Sequence, residues 1–327
     1  MNFQAHPTKH APRDGARSKA LSAAREPLPK DGSLHDALPD PGIPAGAYDI
    51  SEGEFEALRK LIHEHAGIAL GSGKKQLLVA RLSRRLRSLG LSSFAQYHAL
   101  LVDHDPGGEE MRRMLNCVTT NQTDFFREKH HFDALRTELL PRLYRARQST
   151  RRLRLWSAGC SSGEEPYTLA MTLRTLEIPA GFDVKILATD LDSNILARAA
   201  AGIYPLARVE PVPEPERRRF FQLGKGDQSG QARVTDELRS LITFRQLNLM
   251  NDWPFKGQMD VIFCRNVMIY FDDATRRRLV DRFVQRLAPD GVLMLGHSES
   301  LMGLHPQLAS AGRTIFEKHA HGHQKAA

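Results

Sequence analysis

Cysteine is scarce in this sequence, which has only Cys117, Cys160 and Cys264 among its 327 residues. Three isolated thiols cannot form a disulfide framework, and their spacing lacks the pairs that hold a structural zinc ion. Apolar runs are short as well, and none approaches the roughly 20 residues that a membrane-spanning helix needs. The N-terminal region also lacks the apolar stretch found in secretory signals. These absences predict a cytoplasmic protein without membrane insertion.

Acidic residues are fewer than basic ones, with 38 Asp and Glu against 46 Lys and Arg. The formal net charge is therefore +8. A basic surplus indicates a negatively charged partner, but by itself it does not separate nucleic acid from acidic protein. The apolar fraction of 41% and the charged fraction of 26% are typical of a soluble globular protein. The length predicts two domains at about 150 residues each.

The N-terminal third of the sequence predicts a tail followed by helices. Residues 1–47 have few apolar positions among many Pro, Gly and Ala, so we expect a disordered tail. Ser51 and Glu54 form a capping-box pattern before apolar residues at helical spacing, and Gly67 is placed to end that helix. Three further helices are expected, near residues 73–89, 93–102 and 109–117. Residues 48–127 are therefore predicted to form a small helical domain.

The pattern changes near residue 151. Helices are predicted at 165–176 and 274–287, and buried strands at 153–158, 183–190, 241–248, 260–266 and 292–297. Strands that alternate with helices indicate an α/β fold with a mostly parallel sheet, so we expect residues 128–318 to form a Rossmann-like domain. Clustered prolines and a glycine-rich turn predict an inserted antiparallel β-subdomain at about 202–240. Residues 319–327 are expected to be a flexible C-terminal tail.

A glycine turn, Gly159 to Gly163, follows the first predicted strand, and two glutamates open the next helix. Such a turn lets a ligand approach the backbone closely, but it has neither the dinucleotide nor the P-loop spacing. Glu164 and Glu165 would repel a phosphate, so a cationic ligand fits better. The alternative is that both glutamates only complement the helix dipole.

Asp190 ends the second predicted strand, where an acid can bind ribose hydroxyls. The alternative is that Asp190 caps the next helix, although Asp192 and Ser193 offer a competing cap. A glycine turn with an acid on the neighbouring strand, and without phosphate-binding features, indicates a nucleoside site. S-adenosylmethionine has this character, since it combines adenosine, a sulfonium and an amino-acid end whose ammonium suits a carboxylate.

Five segments resemble, in this order, those of the CheR family of chemotaxis receptor methyltransferases. They are TTNQTDFFRE (119–128), WSAGCSSGEEPYTLAMTL (156–173), ATDLD (188–192), FCRNVMIYF (263–271) and PDGVLMLGHSES (289–300). The resemblance covers about residues 50 to 317. It implies a small N-terminal helical domain followed by a Rossmann-like class I methyltransferase domain with an inserted antiparallel β-subdomain. It also implies methyl transfer from S-adenosylmethionine to receptor glutamates, with S-adenosylhomocysteine as the product and no metal.

The resemblance also implies roles for individual residues. Glu165 would hold the ammonium of the cofactor and Asp190 its ribose, while Arg127 and Tyr270 would face the acceptor carboxylate as catalytic residues. The remaining cofactor contacts would come from Asn121, Thr123, Arg127, Asn248, Leu249, Arg265 and Asn266. A glutamate side chain, with a reference pKa of about 4.3, is already an anion at neutral pH, so the reaction needs no general base. Positioning and desolvation remain as the tasks of the protein.

The second predicted helix has one broad basic face, to which Arg81, Arg84, Arg85 and Arg87 contribute. Such a face is commonly just solvated, but the resemblance implies that it docks the cytoplasmic methylation region of a chemotaxis receptor. The β-subdomain is a further candidate site, for a C-terminal receptor tether. We expect a monomer that is recruited to membrane receptor arrays, with no nucleic acid partner.

Two other functions are compatible with parts of the sequence. The net charge would suit an RNA methyltransferase, but residues 265–268 lack the Asn/Asp-Pro-Pro-Tyr/Phe loop typical of base N-methylation. A non-catalytic regulator that senses S-adenosylmethionine is the other alternative. The presence of Arg127, Glu165, Asp190 and Tyr270 favours an enzyme.

Overall fold

A computed structural model describes residues 48–299 and 305–319 of the chain. The predicted tail at residues 1–47 lies outside this range, and so do residues 320–327 of the predicted C-terminal tail. In the described segments, no helix combines the length and the apolar character that a membrane span needs.

Four helices form the N-terminal part: α1 (Glu52–Ala66), α2 (Lys75–Ser88), α3 (Phe94–Asp103) and α4 (Glu109–Val118). The predicted capping box is present, because Ser51 Oγ accepts from the Glu54 N–H while the Glu54 carboxylate accepts from the Ser51 N–H. Gly67 ends α1 in the left-handed conformation, with φ at 72°. The four helices predicted from the sequence are thus confirmed.

A connecting segment without helix or strand, residues 119–129, follows α4. The predicted domain boundary after residue 127 falls within it. The chain then continues as α5 (His130–Ala134), a π-helical stretch (Leu135–Leu139) and α6 (Leu140–Ala146), which together lead into the sheet.

A seven-stranded sheet in the order β6-β2-β1-β7-β8-β10-β9 forms the centre of the α/β part. Its strands are β1 (Arg152–Ala158), β2 (Asp183–Asp190), β6 (Ile242–Gln246), β7 (Met259–Cys264), β8 (Leu287–Leu295), β9 (Leu308–Gly312) and β10 (Ile315–Lys318). The main helices between them are α7 (Glu164–Thr175), α8 (Ser193–Ala201) and α12 (Asp273–Arg286). Strands β6, β2, β1, β7 and β8 are parallel, and β10 and β9 are antiparallel to their neighbours. The predicted α/β fold with a mostly parallel sheet is therefore confirmed.

A second sheet lies between α8 and β6 in the sequence, where the β-subdomain was expected. It consists of β3 (Ile203–Pro205), β4 (Phe221–Leu223) and β5 (Gln231–Val234), which pair antiparallel in the order β3-β5-β4. Three short helices accompany it: α9 (Leu206–Val209), α10 (Glu214–Phe220) and α11 (Asp236–Arg239). We call residues 202–240 the insert.

The helical part and the sheet share one hydrophobic core. Phe55, Leu58 and Leu82 from the helices belong to the same buried cluster as Trp156 of β1 and Phe283 of α12. A backbone hydrogen bond of 2.8 Å from the Ala69 N–H to the Tyr270 carbonyl also joins the two parts. This arrangement fixes α1 and α2 over the carboxyl ends of the parallel strands.

Candidate active site

A cavity of about 370 Å³ opens at the carboxyl ends of β1, β2 and β7. The chain order of the sheet reverses between β1 and β7, and open α/β sheets bind ligands at such a switch point. The cavity wall includes every residue predicted to contact the cofactor or acceptor carboxylate: Asn121, Thr123, Arg127, Glu165, Asp190, Asn248, Leu249, Arg265, Asn266 and Tyr270. The structure thus brings these ten residues together, although their individual roles stay predictions.

The glycine turn forms the floor of this cavity. Gly159 has φ at 88°, and a Cβ atom there would lie 2.4 Å from Cγ2 of Val267, so no other residue fits. Ser161 adopts the left-handed conformation as well, with φ at 49°. In that conformation its N–H donates a 2.7 Å hydrogen bond to Oδ2 of Asp190, which ties the turn to the end of β2.

Asp190 is almost fully buried at the cavity wall. Its Oδ1 accepts from the N–H of Asp192 at 3.0 Å, and burial raises its pKa to about 6. The cap of α8 is Asp192, whose Oδ1 accepts from the N–H groups of Asn194 and Ile195. The alternative in which Asp190 caps the helix is therefore wrong, and the Asp190 carboxylate is directed to the cavity side of the sheet.

Glu165 is buried in the first turn of α7 and has two polar partners. Its Oε1 accepts from Ser157 Oγ at 2.7 Å, and its Oε2 accepts from Arg265 Nη1 at 3.2 Å. Burial raises the pKa of Glu165, although Arg265 and Ser157 act in the opposite direction. These contacts go beyond complementing a helix dipole, since they aim a buried carboxylate at the cavity.

Arg265 is the buried cation of the site, with 2% of its side chain exposed. Besides Glu165, it contacts the carboxylate of Glu128 at 3.4 Å and donates to the carbonyl of Arg127. Burial opposes ionisation of Glu128, but the hydrogen bond from His297 and the charge of Arg265 lower its pKa to about 2. Arg265 therefore links β7, α7 and the connecting segment.

Metal-binding residue types occur together at one place among the described residues, where ligand atoms of Glu128, His130 and His131 lie within 4.8 Å of one another. The Arg265 guanidinium already neutralises Glu128, and Nε2 of His131 lies 3.0 Å from the Arg313 carbonyl. Burial and the charge of Arg265 lower the pKa of His131 to about 4. We assign no metal role to this cluster.

The loop after β7 carries Asn266 and Tyr270. Asn266 is left-handed, with φ at 59°, and Glu299 holds the loop in place. One carboxylate oxygen of Glu299 accepts from the N–H groups of Gly296 (2.6 Å) and Asn266 (2.9 Å), and the other from the N–H of Ile269 (3.2 Å). Asn248, on the opposite side, donates to the carbonyl of His65 at 2.6 Å, so the cavity wall is continuous with α1.

The four arginines of α2 do not form one uniform exposed face. Arg85 pairs with Glu110 of α4 through a 2.6 Å hydrogen bond from its Nε, and 18% of its side chain is exposed. Arg81 donates to the carbonyls of Val118 and Thr119 and to Thr120 Oγ1, so it holds the start of the connecting segment. Arg87 is half-buried, and Arg84 is the one exposed member of the four. Arg84 is thus the member of this face with the most open position, and a docking role of the four arginines stays a prediction.

Sequence reasoning missed two residues that position the site, Glu299 and Arg208, and it named Asp192 only as a competing helix cap. Asp192 caps α8 and also accepts from the Asn121 side chain at 2.8 Å. Its position two residues after Asp190 was visible in the ATDLD segment. Glu299 lies in the PDGVLMLGHSES segment, but two of its three backbone partners, Asn266 and Ile269, are 33 and 30 residues away in the sequence. Arg208 belongs to the insert and carried no sequence signal.

Comparisons with known proteins identify one family along most of the described chain. The model of the CheR methyltransferase all-alpha domain matches residues 53–119, and that of the CheR methyltransferase SAM binding domain matches residues 121–316. Chemotaxis protein methyltransferase 2 of Pseudomonas aeruginosa is 45% identical over 283 residues, which cover 86% of this chain and 98% of the relative. The chemotaxis protein methyltransferase of Escherichia coli is 40% identical over 268 residues, which cover 82% of this chain and 91% of the relative.

Proposed function

Because this chain belongs to the CheR methyltransferase family, we propose that it transfers methyl groups from S-adenosylmethionine to glutamate side chains of chemotaxis receptors. The observation that carries the proposal is one cavity at the switch point of the sheet that gathers two buried carboxylates, Glu165 and Asp190, with Arg127 and Tyr270. The chain is an S-adenosylmethionine-dependent methyltransferase of this family, and neither alternative, an RNA methyltransferase or a non-catalytic regulator, gains support.

The residues of the cavity fit S-adenosylmethionine chemically. Glu165 offers a buried anion for the ammonium, and Asp190 offers acceptors for the ribose hydroxyls. Leu191, Leu247 and Leu249 provide an apolar wall for the adenine. Gly159 lines the cavity and has no side chain, so a ligand can approach the backbone of the turn there. Further contacts are assigned to Asn121, Thr123, Arg127, Asn248, Arg265 and Asn266.

When bound, S-adenosylmethionine supplies a methyl group on a positively charged sulfur, which is a good leaving group. The acceptor glutamate is already ionised at neutral pH, so the protein needs to align it rather than deprotonate it. Arg127 lines the cavity, with its Nη1 donating to the Gln122 carbonyl at 2.9 Å, and its remaining N–H groups can hold a carboxylate. Tyr270 lines the same cavity and can donate one further hydrogen bond. Both residues orient the nucleophile, and neither acts as a base.

Methyl transfer is tested by incubating the protein with methyl-labelled S-adenosylmethionine and cytoplasmic receptor fragments. The proposal expects base-labile methyl esters on receptor glutamates, and the same fragments with those glutamates replaced by alanine serve as the matched control. Cofactor binding without any transfer would contradict it and favour a regulator. Label that appears in added RNA would favour the RNA methyltransferase.

Docking of the receptor is assigned to two surfaces. The first is the exposed side of α2 around Arg84. The second is the insert, whose β4–β5 turn has glycines at 224, 226 and 230 and whose surface exposes Ile203, Leu206 and Leu223. Leu223 lies on β4, an edge strand of this sheet, and a free sheet edge suits an extended receptor tether. Binding of a peptide with the C-terminal receptor sequence, lost in Leu223→Asp, would support the second surface.

The protein is proposed to work as a monomer in the cytoplasm, at membrane receptor arrays. Light scattering after size-exclusion chromatography tests the oligomeric state. Co-localisation of a fluorescent fusion with receptor clusters tests recruitment, and uniform fluorescence throughout the cell would contradict it.

A further inference from the structure

The connecting segment needs tertiary contacts to keep its shape, because residues 119–129 form neither helix nor strand. Four of its carbonyls accept hydrogen bonds from side chains of other elements: Thr119 from Arg81, Asn121 from Ser161, Thr123 from Arg208 and Arg127 from Arg265. Asn121, Thr123 and Arg127 also line the cavity. The side chains that hold this segment therefore set the geometry of the cavity wall at which the acceptor glutamate is proposed to bind.

Arg208 is the member of this set that comes from the insert. Its Nη1 donates to Oδ1 of Asp124 at 2.8 Å, and its Nη2 donates to Oε1 of Glu164 at 2.7 Å and to the Thr123 carbonyl. Glu164 has 1% of its side chain exposed, so the bond to Arg208 satisfies a buried carboxylate. One guanidinium thus joins the insert, the connecting segment and the first turn of α7.

Aromatic contacts reinforce the same junction. The ring of Phe125 packs edge-on against the rings of Tyr204 of β3 and Phe221 of β4, with distances between ring centroids of 5.1 Å and 5.6 Å. The Tyr204 hydroxyl donates to the Ser162 carbonyl at 2.7 Å. The insert therefore packs directly on the connecting segment and on the glycine turn.

We propose that Arg208 is a positioning residue for methyl transfer, which holds Thr123 and Asp124 so that Arg127 keeps its place beside the acceptor. This inference rests on the proposed function and deepens it. It gives the insert a role in the chemical step, whereas receptor docking alone would give it a role only in substrate affinity. The two roles differ in kinetics: positioning acts on kcat, and docking acts on KM.

The test compares Arg208→Gln with Arg218→Gln, a matched control on α10 of the same insert, where Arg218 is 78% exposed and pairs with Glu214. Arg208→Gln is expected to lower kcat about tenfold and to change the KM for receptor fragments less than threefold, since charge-assisted hydrogen bonds are lost beside the site. Arg208→Lys should restore part of the rate, because an ammonium can keep one of the bonds. Arg218→Gln should leave both constants unchanged.

Arg208→Gln leaves the buried Glu164 carboxylate without its cation, so this variant can lose stability for that reason alone. Asp124→Asn is therefore the second variant, because it keeps that ion pair. Asp124 is 54% exposed, and its replacement preserves the Arg208–Glu164 pair. For Asp124→Asn we expect kcat to fall about threefold. For both Arg208→Gln and Asp124→Asn we expect faster amide hydrogen exchange at residues 121–127. Wild-type kcat in a folded Arg208→Gln protein, or a change confined to KM, would overturn the proposal. Absence of methyl transfer by the wild type would refute the proposed function instead, and the exchange comparison would still report whether Arg208 holds the segment.

Discussion

The Nη1 atom of Arg265 lies 3.2 Å from Oε2 of Glu165, and both side chains are buried at the edge of the cavity. Burial raises the pKa of Glu165, and the charge of Arg265 opposes that rise by favouring the carboxylate. A carboxylate held in this way can attract the ammonium of a bound amino acid. We therefore propose that this ion pair takes part in cofactor recognition.

Glu165→Gln tests this link. The variant should bind S-adenosylhomocysteine about 10- to 150-fold more weakly than the wild type, because a charge-assisted hydrogen bond worth about 1.5–3 kcal/mol is lost. Isothermal calorimetry measures the effect, with Glu210→Gln, an exposed position in the insert, as the control. Equal affinities for Glu165→Gln and the wild type would refute the ammonium-binding role.

If Asp190 binds the ribose as proposed, the affinity for the cofactor should depend on pH. Its pKa in the free protein is raised to about 6 by burial, and ribose hydroxyls that donate to the carboxylate favour its charged form. The affinity for S-adenosylhomocysteine should therefore be highest above pH 7 and fall as the pH drops below 6. Asp190→Asn should bind more weakly at neutral pH and lose this step. Calorimetry between pH 5 and 8 measures both, and a flat wild-type profile would argue against the assignment.

Tyr270→Phe should preserve the fold and cofactor affinity but lower kcat. One hydrogen bond lost in a dry site corresponds to about 1–3 kcal/mol, or roughly 5- to 150-fold. If Tyr270 orients the acceptor, the wild-type rate rises with ionisation of the acceptor glutamate and is then flat around neutrality. Single-turnover rates from pH 5 to 10 provide the measurement. A steep wild-type rise above pH 8 that disappears in Tyr270→Phe would indicate a catalytic base instead.

Arg84→Glu should raise the KM for receptor fragments while leaving S-adenosylhomocysteine binding intact. Arg84 is chosen for this test because it is exposed on α2. The wild-type KM should also rise with salt, because exposed charges are screened beyond about 8–10 Å at physiological ionic strength. Arg277→Glu, an exposed position on α12, is the control. Equal KM values for Arg84→Glu and Arg277→Glu would indicate that the basic face of α2 is only solvated.

Local patterns in the sequence predicted the helices and strands, and they also predicted the edge of the sheet at which the cavity lies. The capping box at Ser51 and Glu54 acts within one helical turn, and the apolar strand runs need only their own composition to be recognised. Asp190, the last residue of β2, was predicted to lie at this edge because parallel strands end at a common edge of the sheet. These features depend on neighbours in the chain, so one sequence is enough.

Side chains whose partners are distant in sequence could not be assigned in this way. Arg147 and Arg154 lie in an arginine-rich stretch of the sequence that does not reveal their partners, yet Arg147 pairs with Asp260 and Asp290, and Arg154 pairs with Asp183. A helical wheel likewise puts Arg85 on a polar face without revealing Glu110 of α4. Such ion pairs depend on which elements become neighbours, and this is set by the packing of the whole sheet.

The shared core of the helical part and the sheet limits how this protein can be divided. The two family models meet between residues 119 and 121, yet Phe55 and Leu82 on one side pack in the same cluster as Trp156 and Phe283 on the other. Recombining the catalytic part with the helices of a distant relative would therefore replace half of a close-packed interior. Exchange of receptor specificity between family members is expected to succeed through surface substitutions on α2, and to fail through wholesale grafting at the apparent boundary.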